Sequence, residues 1–112
     1  MSKPTNYPLN IKIGDTETVT VTRQDKNGNA INISGRVYSA QVRAKASSAT
    51  PLATFSCAIV DAANGIFACT LPASTTAALS PANAVWDLQE VNGVVVTTLL
   101  SGPAYIEKDI TR

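Results

Sequence analysis

The sequence contains no histidine. Without an imidazole, Ser-His-Asp and Cys-His nucleophilic catalysis lose their base, and the common zinc sites lose their usual nitrogen ligand. Charged residues make up only 15% and leave a net charge of +1, which offers no overall field to nucleic acid or to an anionic membrane. There is no glycine-rich phosphate loop. The apolar stretches are far short of a bilayer span, and Met1-Ser2-Lys3-Pro4 leads into polar sequence instead of the apolar run of a secretory leader. These absences predict a protein that is not an enzyme, carries no metal and no cofactor, binds neither nucleic acid nor membrane, and is made in the cytosol without a signal peptide.

The chain is 112 residues long and 45% hydrophobic, which suits one ordered domain with a modest core. Thr, Ser, Val and Ala dominate while Glu and Lys are few, a bias toward strands. The clearest strand pattern lies in residues 52–71. Folded about Ala63, this stretch sets Phe55 opposite Leu71, Cys57 opposite Cys69 and Ile59 opposite Phe67 on one face. Asn64-Gly65 supplies residues that accept positive φ at the turn. In a cytosolic protein the two cysteines read as small buried hydrophobes in reduced form. Their direct opposition also leaves a disulfide geometrically open.

Alternation predicts further strands over residues 7–13, 16–24, 30–34 and 36–45, with Pro8 marking an edge and Tyr38, Ala40 and Val42 on one face. Residues 72–81 break the rhythm; Ser74 or Thr75 caps a single helical turn ended by Pro81, with Leu79 as its anchor. A second hairpin about Asn92-Gly93 pairs Trp86 with Leu99 and Leu88 with Thr97. Gly102-Pro103 then turns the chain into a last strand over residues 104–108. The fold class predicted is all-β: a two-sheet antiparallel sandwich of about eight strands with one short helical turn. Residues 1–6 form an arm, 7–108 the sandwich and 109–112 a tail.

Several segments test for chemistry and fail. Asp25-Lys26-Asn27-Gly28-Asn29 opens like a calcium loop, but its twelfth position is Arg36 where a bidentate acid is needed, so a hairpin turn explains it. Asn32-Ile33-Ser34 matches a glycosylation triplet that has no consequence without secretion. Asp87 and Glu90 could be paired carboxylates, yet alternation separates them, leaving two solvated charges. Seven basic residues precede Ala46 and none lies between it and Glu107. Strands interleaving in space would average this out; otherwise basic and acidic surfaces of neighbouring copies could meet.

Read together, VTVTRQDKNGNAINISG (residues 19–35), VRAK (42–45), NGIFACTLPASTTAAL (64–79) and AVWDLQEVNG (84–93) resemble the small β-sandwich modules of tailed-bacteriophage virions. The order is similar to the N-terminal domain of the phage baseplate upper protein family: a D-x-x-G-x turn before an isoleucine- or leucine-rich return, then a G-x-aromatic strand and a Y/W-D-aliphatic strand. The resemblance implies an Ig-like sandwich and a non-enzymatic structural role in the virion. The chain would be a multi-copy attachment module on tail, baseplate or neck, with other virion proteins and copies of itself as partners. Capsid decoration is the nearest alternative. A carbohydrate-binding module is a third, which would need exposed aromatics among Tyr7, Tyr38 and Tyr105. Contacts are expected from the polar ends: Ser2, Lys3, Pro4, Thr5, Asn6 and Tyr7, and Glu107, Lys108, Asp109, Ile110, Thr111 and Arg112.

Overall fold

The computed structural model describes residues 5–108. In chain order the elements are β1 (Thr5–Asn6), β2 (Leu9–Lys12), β3 (Glu17–Thr22), β4 (Val37–Arg43), β5 (Ala53–Thr54), β6 (Ser56–Asp61), β7 (Ile66–Leu71), α1 (Ala73–Thr76), β8 (Ala82–Asn92) and β9 (Val95–Glu107). One sheet runs β1-β9-β8-β4-β5 with β2 also paired to β9; the other runs β3-β7-β6. The all-β, two-sheet architecture is the one predicted. Its ladders are not all antiparallel, because β1 and β2 pair with β9 in parallel.

Alternation builds the core between the sheets. Leu9 and Ile11 of β2, Tyr38, Ala40 and Val42 of β4, and Trp86 and Leu88 of β8 face Val19 of β3 and Phe67, Cys69 and Leu71 of β7, all buried. Phe67 stacks on Tyr38 across the sandwich, ring centroids 3.6 Å apart and planes inclined by 10°. Thr76 of α1 is fully buried. Its Oγ1 accepts the Gly14 N–H at 3.1 Å and donates to the Asp15 carbonyl at 2.7 Å, which docks the helical turn on the β2–β3 connection.

The structure corrects several expectations. Cys57 stands opposite Cys69 and Ile59 opposite Phe67 as expected, but Phe55 does not pair with Leu71. Its N–H bonds to Ala40 of the other sheet, so the chain crosses between sheets just before β6. Cys57 and Cys69 are joined in a disulfide, not left as thiols. Residues 30–34 form no strand; only Ala30 bridges to Gln24, and Ile33 is held by its N–H to the Ala62 carbonyl. No side chain caps α1, whose N-cap is Pro72. The β8–β9 turn is Gly93-Val94, so Trp86 pairs with Gly102 and Leu88 with Leu100. A register shift at Leu88/Gln89 adds a further step. Gly102-Pro103 lies inside β9 and does not end a strand.

The disulfide gives a first prediction. Closing a loop with a sequence separation of 12 restricts the unfolded chain by about 2–3 kcal/mol. Reduction is expected to lower the thermal midpoint by roughly 10 °C, read by scanning calorimetry with and without dithiothreitol. A thiol titration that finds two free cysteines in the untreated protein, or an unchanged midpoint, would refute it.

Candidate interaction surface

The end of the sandwich that carries the β8–β9 turn is assembled around one buried carboxylate. Glu90 shares the inward face of β8 with Trp86 and Leu88, and only 4% of it is exposed. Arg23 follows β3 in one sheet and Arg36 precedes β4 in the other. Arg23 Nε donates to Glu90 Oε2 at 3.1 Å and Arg36 Nη1 to Oε1 at 3.3 Å. The Tyr38 hydroxyl donates to Oε2 at 2.7 Å. Burial alone would push the Glu90 carboxyl up, but the hydrogen bonds of Arg23 and Tyr38 and the charges of Arg23 and Arg36 more than reverse it and hold it below the ordinary carboxylate value. Burial, then the hydrogen bond to Glu90, pushes the Tyr38 phenol well up. The expectation that Glu90 is a solvated charge is therefore overturned. Two of the basic residues crowded into the first 45 positions meet an acid of the second half here, and Lys12 meets Glu107 at 3.2 Å at the other end. Interleaving absorbs much of the charge asymmetry.

A neighbouring glycine fixes the same corner. Gly65 has φ +71°, and a Cβ there would stand 2.5 Å from the Arg23 carbonyl and 2.7 Å from that of Ile31. The Arg23 N–H bonds to the Gly65 carbonyl at 2.7 Å. The β6–β7 turn thus clamps the backbone that presents Arg23 to Glu90.

Over this polar interior lies an apolar exterior. Val37 of β4 stands opposite Val91 of β8, and Val91 opposite Val96 of β9, one valine rung across three strands. Val37 is 62% exposed, Val95 and Val96 58% each, and Val94 at the turn 98%. Beside it the edge of β9 over residues 95–99 has no strand partner among the described residues. A groove of about 470 Å³ runs along this edge, bounded on one side by the end of β3 and the segment after it (21–25) and on the other by residues 97–100 of β9, with Thr5 at its end. The three-stranded sheet adds a face of small uncharged residues: Thr18, Thr70 and Ser56 on one rung, Thr20, Ala68 and Ala58 on the next.

The contact residues expected at the chain ends do not form one patch. Thr5 and Asn6, expected in a free arm, are paired to Leu100 and Ser101. The Tyr7 carbonyl accepts Trp86 Nε1–H at 2.8 Å, and the Tyr7 ring, 44% exposed, meets Trp86 edge-on. Glu107 is the last residue of the same β9 strand, where it binds Lys12, and Lys108 follows it. Ser2, Lys3, Pro4, Asp109, Ile110, Thr111 and Arg112 lie outside the described residues. Sequence reasoning missed the valine surface, although the run Val94-Val95-Val96 at a glycine turn was a signal for it.

No group of acidic, cysteine or histidine side chains suited to a metal ion occurs among the described residues, and no helix there is long and apolar enough to cross a membrane. The fold and surface define a small all-β sandwich module. No family model matches the chain, and no curated protein matches it in sequence.

Proposed function

We propose that the protein is a non-enzymatic structural component of a tailed-bacteriophage virion, a multi-copy attachment module that works by contact with neighbouring virion proteins and with copies of itself. The phage assignment rests on the resemblance of the motifs between residues 19 and 93. The contact mode rests on one observation, the valine surface at the β8–β9 turn. Val37 and Val96 on the outer face and Val94 at the turn, each more than half exposed, contribute nothing to this fold's own core. Covering them is worth about 3–6 kcal/mol, which is below or near the low end of the 4–15 kcal/mol cost of association. A single such contact is weak, and a repeated one is strong.

Imaging of the intact particle tests the assignment. Density for the sandwich at the tail, baseplate or neck supports it; density over the capsid lattice makes the protein a decoration protein instead. The double variant Val94→Ser/Val96→Ser is expected to fold with an unchanged unfolding midpoint and to lose at least tenfold in occupancy on particles. Full occupancy of that variant would remove the valine surface from the contact.

A further inference from the structure

The outer face of the larger sheet carries a feature independent of the valine end. One register rung crosses five strands and is polar at every position: Asn6 of β1, Ser101 of β9, Asp87 of β8, Gln41 of β4 and Thr54 of β5. Gln41 alternates with buried Ala40 and Val42, and Asp87 with buried Trp86 and Leu88, so the rung points away from the core. At about 4.8 Å per strand it is roughly 19 Å long.

Arg43, diagonal to Asp87, lies on the same face. Its guanidinium is held by neutral acceptors, Nη2 donating to Gln41 Oε1 and Nη1 to the Ser48 carbonyl, both at 2.6 Å. Asp87 forms no ion pair among the described residues. The face therefore presents a half-buried anion and an oriented cation that form no salt bridge with each other, so both keep capacity for a ligand. A pocket of about 340 Å³ opens between them, with Ser101 and Val85 in its wall; a second of about 190 Å³ shares Gln41, Arg43 and Asp87.

We propose that this band binds a neutral carbohydrate. With its oxygen engaged by Arg43, the Gln41 amide has its N–H groups left to donate; Asp87 only accepts, and the hydroxyls of Ser101 and Thr54 do both. A polyol, whose hydroxyls each donate and accept, matches a carboxylate acceptor beside guanidinium and amide donors within a few ångströms. One positive and one negative side chain cancel, which favours an uncharged sugar over an acidic one. Val85 and Pro103, opposed on the adjoining rung, and Tyr105 beyond them, 40% exposed, supply the apolar shelf for the C–H face of a pyranose.

The test is an array of immobilised neutral oligosaccharides built from glucose, galactose, mannose and N-acetylhexosamines. It is followed by titration of isotope-labelled protein with the best-bound soluble oligosaccharide, read by amide chemical shifts. Binding in the micromolar to millimolar range is expected, with shifts centred on Gln41, Arg43, Asp87 and Ser101. Asp87→Ala and Arg43→Ala should each weaken it at least tenfold at an unchanged unfolding midpoint, while Val94→Ser should leave it intact. No binding at millimolar sugar, shifts mapping to the groove at residues 97–100, retention of affinity in both variants, or stronger binding of sialylated or sulfated glycans would each overturn the proposal. Such a failure leaves the assembly role standing, since that role is read from particles and from the valine variants.

Discussion

Replacing Glu90 with alanine is expected to cost about 3–5 kcal/mol of folding free energy, because it leaves two guanidinium groups and a phenol facing an interior without their acceptor. The side chains of Arg23 and Arg36 are only 26% and 20% exposed, so water replaces the lost contacts poorly. The carboxylate also ties together strands of both sheets: β8 supplies it, and the partners come from the end of β3 and the start of β4. Glu90→Gln keeps an acceptor but no charge, and should lie between wild type and alanine. Urea unfolding of the three proteins measures this directly. A loss below about 1 kcal/mol for Glu90→Ala would put the cluster in the class of surface ion pairs and refute its role as a clamp.

The same cluster sets an acid dependence. The folded-state pKa of Glu90 lies below the ordinary value of 4.5, so its stabilisation is complete above the carboxylate range and is lost as pH falls through the depressed folded value. Glu17 works in the opposite sense: burial, then the charge of Asp15, raises its pKa, so protonating it relieves an unfavourable charge in the fold. Stability of the wild type is therefore expected to rise slightly as pH falls through the raised Glu17 value and to drop below 4.5, where protonation of Glu90 takes over. Glu90→Gln should show a shallower fall over that acid limb. Parallel acid limbs for the two proteins would mean that Glu90 is not the titrating group.

Much of the sandwich was legible because its strands obey a two-residue period. Tyr38, Ala40 and Val42, and Phe67, Cys69 and Leu71, occupy the buried face that alternation assigns them, and Cys57 meets Cys69 because the turn length between them sets the register. The misses have physical causes. Pairing of β1 and β2 with β9 joins positions nearly a hundred residues apart and has no local signature. Phe55 keeps its inward direction while its backbone changes sheets, which alternation cannot register. Asn-Gly suggested a turn at residues 92–93, but the loop takes Gly93 with φ +62° as its first residue, displacing every β8–β9 pair. Glu90 was readable in principle, since it has the same parity as Trp86 and Leu88. Charge argued against burial, and the two arginines that make burial tolerable come from distant segments. The valine surface escaped for the converse reason, because apolar residues in a strand are assigned to a core by default.

Phe67→Ala is the second large effect expected, about 3–5 kcal/mol, from lost burial and a cavity that strands cannot collapse to fill. Phe67 is fully buried, stands between Val21 and Ile59 in its own sheet, and stacks on Tyr38 of the other. Tyr38 in turn donates to Glu90. The apolar core and the polar clamp therefore share one side chain, and the two substitutions should not be independent. Without Phe67 the Tyr38 ring loses the stack that sets its direction, and its hydroxyl reaches Glu90 less well. Part of what Glu90 contributes is already gone in Phe67→Ala. The double variant Phe67→Ala/Glu90→Ala is expected to fall short of the sum of the singles by more than about 0.5 kcal/mol. Phe67→Leu, which keeps most of the volume, should lose less stability and less of the coupling. Additivity of the two alanine substitutions within about 0.3 kcal/mol would mean that Tyr38 transmits nothing between core and clamp, and that the end of the sandwich bearing the valines is held by Arg23 and Arg36 alone.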